Sequence, residues 1–234
     1  MSWINKFYSN ETINDILYSK RSYDGLFYFI TNDSKLNKNS WIYDQCCGLG
    51  FLTIKLKESG FNNVYSLDFQ ESNINILRDE LIDKGLDANF LIAKKAEDFI
   101  YVDFFNTIIN IYSSIGHISR DADLKVFTNN FLSLKKDGCF YLEYLNLNYL
   151  KNNFKQEIHY DNIKRLSKID GNKMIQTWVL KDQEIETEMQ LYFVDELVLI
   201  LKNIGFTDVK LIDSKTYKEF DHQTSERVLI KATK

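Results

Sequence analysis

The 234 residues predict an α/β protein: a mostly parallel sheet with crossover helices on both faces, and a small antiparallel β insertion after the fifth strand. Three observations carry this prediction. Short apolar runs alternate with longer amphipathic ones as far as Leu145, which is the rhythm of strands joined by helices. A glycine turn, Asp44-Gln45-Cys46-Cys47-Gly48-Leu49-Gly50, stands between the first such run and its helix. Beyond Leu145 the period shortens to that of successive antiparallel strands.

Residues 1–40 read as an N-terminal helical cover, helical from Glu11 to Ile30. Trp41 to Asp44 is a first strand, and the glycine turn leads into a helix from Phe51 to Lys57. Val64 to Asp68 is a second strand that ends on a carboxylate. From Glu71 to Lys84, Ile74, Leu77, Leu81 and Ile82 fall at helical spacing, and Gly85 stands where a C-terminal cap belongs. Asn89 to Ala93 gives a third strand and Thr107 to Ile111 a fourth. A helix from Asp121 to Lys135 then runs to Asp137-Gly138, ahead of a fifth strand from Cys139 to Leu145.

Residues 150–193 form the insertion, with strands Gln156 to Ile169, Lys173 to Leu180 and Glu184 to Phe193. A helix from Val194 to Asn203, closed by Gly205, and two strands, Thr207 to Ile212 and Glu226 to Ala232, complete what reads as a single domain.

Composition narrows the function classes. Hydrophobic residues make up 44% and charged residues 26%, an ordinary globular balance. A net charge of -4 argues against a nucleic-acid binder, which would carry an excess of Lys and Arg. Three cysteines without a C-x-x-C pair, and no leader-like or membrane-spanning apolar run, lead to the expectation of a cytoplasmic chain with no membrane partner. The three histidines form no cluster with metal-ligand spacing, so no metal is expected.

A glycine turn after a strand, followed about twenty residues later by an acidic strand end, frames either a dinucleotide or S-adenosylmethionine. A dinucleotide would place pyrophosphate near Asp44 and usually wants a third glycine where this chain has Thr53. S-adenosylmethionine carries a sulfonium and an α-ammonium, for which Asp44 is an attraction. Asp68 suits a ribose diol with either cofactor.

The segment IYDQCCGLGFLTIKL resembles the first motif of the class I S-adenosylmethionine-dependent methyltransferases. VYSLDFQ is similar to that family's ribose motif, KKAEDF to its adenine motif, NIYSSIGHI to its fourth motif, SLKKDGCFYLEYLN to the following helix and strand, and TSERVLIKATK to its last strand. The resemblance implies a Rossmann-like sheet and S-adenosylmethionine as cofactor, with S-adenosylhomocysteine as product. It places Asp44, Cys46, Gly48 and Gly50 around the methionine part, Asp68 on the ribose, Phe69 beside the adenine, Ala96 and Glu97 at the adenine edge, and Asn110, Ile111 and Tyr112 on the sulfonium side. Tyr23, preceded by Arg21, resembles a tyrosine that relatives modifying amino sugars lay over the cofactor. Lys94-Lys95 stands where the family often has Gly-Asp, so a carboxylate to the adenine amine is either missing or supplied by Glu97 or Asp98.

Within the family the pattern most resembles small-molecule enzymes, in particular those acting on nucleotide-linked sugars, so the expected partner is a small acceptor with an amine or hydroxyl. In-line methyl transfer needs alignment and dryness more than a strong base. His117 is the candidate base or positioning group, equally suited to capping the next helix or hydrogen-bonding a backbone carbonyl, and Tyr112 reads either as a steering hydroxyl or as a core aromatic. Cys46 and Cys47 read as packing residues. In the insertion, His159, Tyr160, Trp178 and Tyr192 suit a sheet covering the acceptor, and equally an interface with a partner such as a second copy.

Other readings stand beside this one. Asn110-Ile111-Tyr112 is faintly similar to the Asn-Pro-Pro-Tyr motif of amino-methylating nucleic-acid enzymes, without the prolines. The fold may also serve a non-catalytic cofactor-binding partner. A nicotinamide dehydrogenase is more remote.

Overall fold

A computed structural model describes residues 3–19, 23–34 and 36–234. Three helices come first: α1 (Trp3–Tyr8), α2 (Glu11–Ser19) and α3 (Asp24–Asp33). The helix expected over Glu11 to Ile30 is therefore α2 and α3, and residues 20–22 between them, with Arg21, lie outside the described residues.

The alternating pattern follows as β1 (Ile42–Gln45), α4 (Phe51–Glu58), β2 (Val64–Asp68), α5 (Glu71–Asp83), β3 (Leu91–Ala93), β4 (Phe105–Asn110), α6 (Arg120–Ser133) and β5 (Leu134–Leu145). A short α7 (Leu147–Asn152) leads to β6 (Glu157–Tyr160), β7 (Ile163–Asp170), β8 (Lys173–Val179) and β9 (Glu184–Gln190). The chain closes with α8 (Val194–Ile204), β10 (Thr207–Asp213) and β11 (Arg227–Thr233).

The main sheet has seven strands in the order β10-β11-β5-β4-β1-β2-β3, with only β11 antiparallel to its neighbours. Every residue of β1 and β2 is buried, as expected of parallel strands covered by helices on both faces. Consecutive crossovers run outward in both directions from β1, so a crevice opens at the C-terminal ends of β1 and β4.

Two elements differ from the sequence reading. The long strand expected over Gln156 to Ile169 is a hairpin, β6 and β7, turned at Asp161 with φ +40°, so the second sheet has four strands, β6-β7-β8-β9. The helix expected to reach Lys135 stops at Ser133, because Leu134 already pairs with Phe105 at the start of β5. The ladder then slips, and Thr107 meets Cys139. Gly138 sits in this irregularity, where a Cβ would press on the Lys135 and Asn106 carbonyls.

The second sheet does not stand alone. Its Ile163, Trp178 and Ile185 form a small core with Phe7 of α1 and Ile13 of α2. Helices α1 and α2 are thus layered between this sheet and the crevice.

Candidate active site

The crevice holds a cavity of about 350 Å³. It is lined by twelve of the thirteen residues expected at the cofactor and methyl-transfer site: Tyr23, Asp44, Cys46, Gly48, Asp68, Phe69, Ala96, Glu97, Asn110, Ile111, Tyr112 and His117. Gly50 is the exception. It turns with φ +77° at the start of α4, and a Cβ there would drive into Leu77 of α5, so its smallness serves helix packing.

The floor is built from strand ends. Asp44, at the end of β1, is 1% exposed and receives a hydrogen bond from the Thr53 hydroxyl at 2.6 Å, which itself lies 2.7 Å from the Ser66 hydroxyl. Thr53, in the third glycine place, therefore anchors the carboxylate. Burial, together with the charge of Asp68 and against the Thr53 bond, pushes the Asp44 carboxyl up to about 7.

Asp68 accepts the Gly48 N–H at 2.9 Å on one oxygen and the Gln70 N–H at 2.9 Å on the other, where the Asn73 amide also donates at 3.3 Å. Burial still raises its pKa above the ordinary carboxylate range. Gly48, at φ +56°, lies under the Tyr18 ring, whose hydroxyl a Cβ would strike. The Cys46 and Cys47 thiols are pushed up by burial and by these carboxylates, which fits packing residues and not nucleophiles. Beside the adenine motif Glu97 lines the cavity, whereas Asp98 pairs with Lys125 at 2.9 Å on the surface.

A buried amide network continues along β4. Asn110 donates to the Gln45 carbonyl oxygen at 2.9 Å, and Gln45 exchanges bonds with Asn130 at 2.9 and 3.0 Å. The Asn110 Oδ1 is left without a partner among the described residues. That acceptor, the two raised carboxylates and the open glycine turn form a set matched to a ligand carrying a cation and N–H donors.

The loop after β4 carries the opposite wall. Tyr112 and Ser113 are both left-handed, at φ +60° and +58°, a strained pair that something must hold. The holder is Glu143, near the C-terminal end of β5. It accepts the Tyr112 N–H at 2.7 Å and the Arg227 Nε–H at 2.9 Å, while Arg227 also donates to the Ser113 hydroxyl at 2.8 Å. Burial alone would raise the Glu143 pKa, but the Arg227 charge and hydrogen bonds outweigh it and the net shift is downward. The loop is pinned further along by Asp123, whose two oxygens take the Gly116 N–H at 3.0 and 3.1 Å and the Tyr192 hydroxyl at 2.6 Å.

His117 faces the cavity from this loop. Its Nε2–H donates to the Ser113 carbonyl at 3.0 Å, so Nδ1 carries the lone pair, and Nδ1 has no partner among the described residues. Burial brings its pKa down to about 4, and the ring is neutral at ordinary pH. The helix that follows is capped by the Ser119 hydroxyl, which accepts from the Ala122 N–H at 3.1 Å, leaving His117 free of that duty. Tyr23 stacks on Phe51 at 5.6 Å and meets Tyr112 edge-on at 5.3 Å.

Ile4, Asn5 and Tyr8 of α1 also line the cavity, with Tyr8 Oη 3.3 Å from His117 Nε2 and its ring 6.0 Å from Phe69. Sequence reading missed them because six residues are too short for a helical period to show. It also missed Glu143 and Arg227, although a lone carboxylate inside the apolar run Cys139 to Leu145 was the available signal. No lining residue comes from 150–193. Trp178 and Tyr192 are buried behind the wall, Tyr160 stacks on Trp178 at 5.8 Å, and His159 is exposed beside Glu157. The expected cover over the cavity is in its first layer α1, with the sheet behind it.

Among the described residues no His, Cys, Asp and Glu group is placed to hold a metal ion, and no helix is long and apolar enough to cross a membrane.

A seven-stranded sheet of this order with a glycine turn and two acidic strand ends around one crevice is the class I methyltransferase fold. Comparison with known proteins agrees: residues 42–138 match the family described as a methyltransferase domain, which bears out the resemblance read from the sequence. An S-adenosylmethionine-dependent methyltransferase from Clostridium acetobutylicum superposes with a TM-score of 0.79 at 18% identity, over 99% of both chains. The CcbJ methyltransferase from Streptomyces caelestis gives 0.76 at 12% identity, over 92% of this chain and 96% of its own. CalS10 from Micromonospora echinaspora, an amino pentose methyltransferase in calicheamicin biosynthesis, gives 0.67 at 14% identity, over 94% and 96%. No curated protein matches the sequence.

Proposed function

We propose that this protein is an S-adenosylmethionine-dependent methyltransferase acting on an amine of a small molecule, with a sugar or nucleotide-linked sugar as the first acceptor class to examine. The observation that carries the reading is the pair of buried carboxylates, Asp44 and Asp68, side by side at adjacent strand ends in the crevice, with the Gly48 turn between them. Asp44, uncharged in half the molecules near pH 7, gains a reason to ionise when a ligand cation arrives. Asp68 suits the ribose hydroxyls, Asn110 Oδ1 an N–H of the methionine part, and Tyr23, backed by Phe51, the roof over it.

When bound, S-adenosylmethionine would supply an electrophilic methyl on a cationic sulfur. The protein's part is to exclude water with Ile111, Ile115 and the aromatic rings, and to orient the acceptor. His117 supports an amine over a hydroxyl. A hydroxyl needs proton removal during attack, and a ring whose pKa lies at about 4 is a weak base for that. A neutral amine already bears its lone pair and needs only a hydrogen-bond acceptor to aim it, which Nδ1 offers. CalS10, whose substrate is an amino pentose, is a fold relative consistent with this choice.

Calorimetric titration with S-adenosylhomocysteine, repeated with Asp68→Ala, tests the reading. Binding that the substitution weakens supports it, and no binding by the unaltered protein overturns it.

A further inference from the structure

Six buried side-chain polar atoms of the described residues lack a hydrogen-bond partner, and three of them gather around α1: His117 Nδ1, Arg165 Nε and Trp178 Nε1. The helix explains the grouping. Its Trp3 and Tyr8 rings lie 5.9 and 6.0 Å from His117, while Phe7 packs edge-on at 5.3 Å against Trp178. A six-residue helix thus wedges between the loop wall and the second sheet with aromatic rings, and leaves an acceptor atom on one side and two N–H donors on the other.

Arg165 is the more telling of the two donors. It pairs across the sheet with Trp178, which pairs with Ile185, so all three belong to the row facing α1. Its guanidinium lies over the rings of Tyr160 and Trp178 at 5.7 and 5.5 Å. It forms no ion pair with a carboxylate among the described residues, and the residues outside that set (Met1, Ser2, Lys20, Arg21, Ser22 and Lys35) include no acid. Desolvation lowers its pKa with only Tyr160 opposing. A guanidinium whose Nε is buried and which has no counterion among the described residues favours an anion beside it. The cofactor floor is the wrong place for such a group, since Asp44, Asp68, Glu97 and Asp123 all face the cavity there.

We propose that α1 stands where the acceptor binds, and that Arg165 and Trp178 form an anion subsite on the side of α1 that faces the second sheet, taking the oxygens of a phosphate or carboxylate while His117 Nδ1 takes an N–H of the same molecule. This rests on the methyl-transfer reading of the cavity for its near end only. The acceptor class it defines is an amine that also carries an anionic group, reached when α1 moves off the sheet.

Inorganic pyrophosphate and acetate serve as probes, titrated separately into the full chain and followed by calorimetry and tryptophan emission. Binding of either is expected, and the tighter of the two identifies the phosphate or the carboxylate as the partner. R165Q should weaken it by about tenfold or more, the loss of a charge-assisted pair, with S-adenosylhomocysteine affinity unchanged as the check on folding. F7A, which loosens α1 from Trp178, should tighten anion binding. Failure of both probes to bind, or equal binding by R165Q, overturns the subsite. Weaker binding by F7A with intact S-adenosylhomocysteine affinity overturns the role of α1. Because S-adenosylhomocysteine is titrated in parallel, loss of the cofactor reading and loss of the subsite are separate results.

Discussion

The wall of the cavity made by β1 and β2 and the wall made by α1 and the loop after β4 ask different things of a ligand. The first presents Asp44 and Asp68, held by Thr53, Gly48 and Gln70 at the ends of fully buried strands. The second presents rings and one neutral imidazole, with a neighbouring helix that packs through apolar contacts. Charge on a rigid floor selects a cofactor that never varies. Shape on a short helix can be reworked without disturbing that floor, which is how one fold serves many acceptors.

This contrast can be broken by experiment, starting with the ion pair beneath the second wall. Glu143→Ala strands Arg227 and unties the Tyr112 and Ser113 backbone, so unfolding stability should drop by about 3 kcal/mol or more in urea titrations. A loss under 1 kcal/mol would mean that the loop keeps its shape unaided. Next in size, Asp68→Ala should weaken S-adenosylhomocysteine by about 100-fold, because two charge-assisted bonds vanish and the Gly48 and Gln70 N–H groups lose their acceptor.

The floor should also be sensitive to pH. Asp44, pushed up to about 7 by burial, is protonated below that value in the ligand-free protein, and a cation binds its ionised form. Affinity for S-adenosylhomocysteine should therefore rise roughly tenfold from pH 6 to pH 7.5, with proton release on binding at pH 6. Flat affinity over that range would remove Asp44 from contact with the ammonium. The smallest effect is expected on the other wall: His117→Ala should lower kcat by no more than about tenfold, below the range of a lost general base. The pH–rate profile should show no inflection near 6.5 from this ring.

The sequence made the floor legible and the opposite wall obscure, for a physical reason. Asp44, Gly48 and Asp68 sit at strand ends, where the turn geometry and the parallel pairing demand recognisable residues close together in the chain. His117 and Tyr112 were visible as candidates, but their support was not, since Glu143 and Arg227 are far downstream and Tyr8 far upstream. The second sheet shows the same limit. Its alternation was readable, yet the turn at Asp161 and the face that meets α1 depend on contacts the local pattern does not encode. Gly50 illustrates the converse: the motif groups it with the cofactor contacts, and its φ of +77° and proximity to Leu77 add a packing duty that the motif does not show.

The clasp of Arg227 on Glu143 and Ser113 also sets an order of events during synthesis. The residues of the cofactor floor have emerged once β4 is made, but the loop beside it is held only through Glu143 and Asp123 until residue 227 leaves the ribosome and β11 pairs antiparallel with β5. A nascent chain halted before that point carries a floor and an opposite wall that lacks its Arg227 clasp. Domains finish as units, and here the last strand to be translated acts as the latch that turns a half-built crevice into a closed workplace.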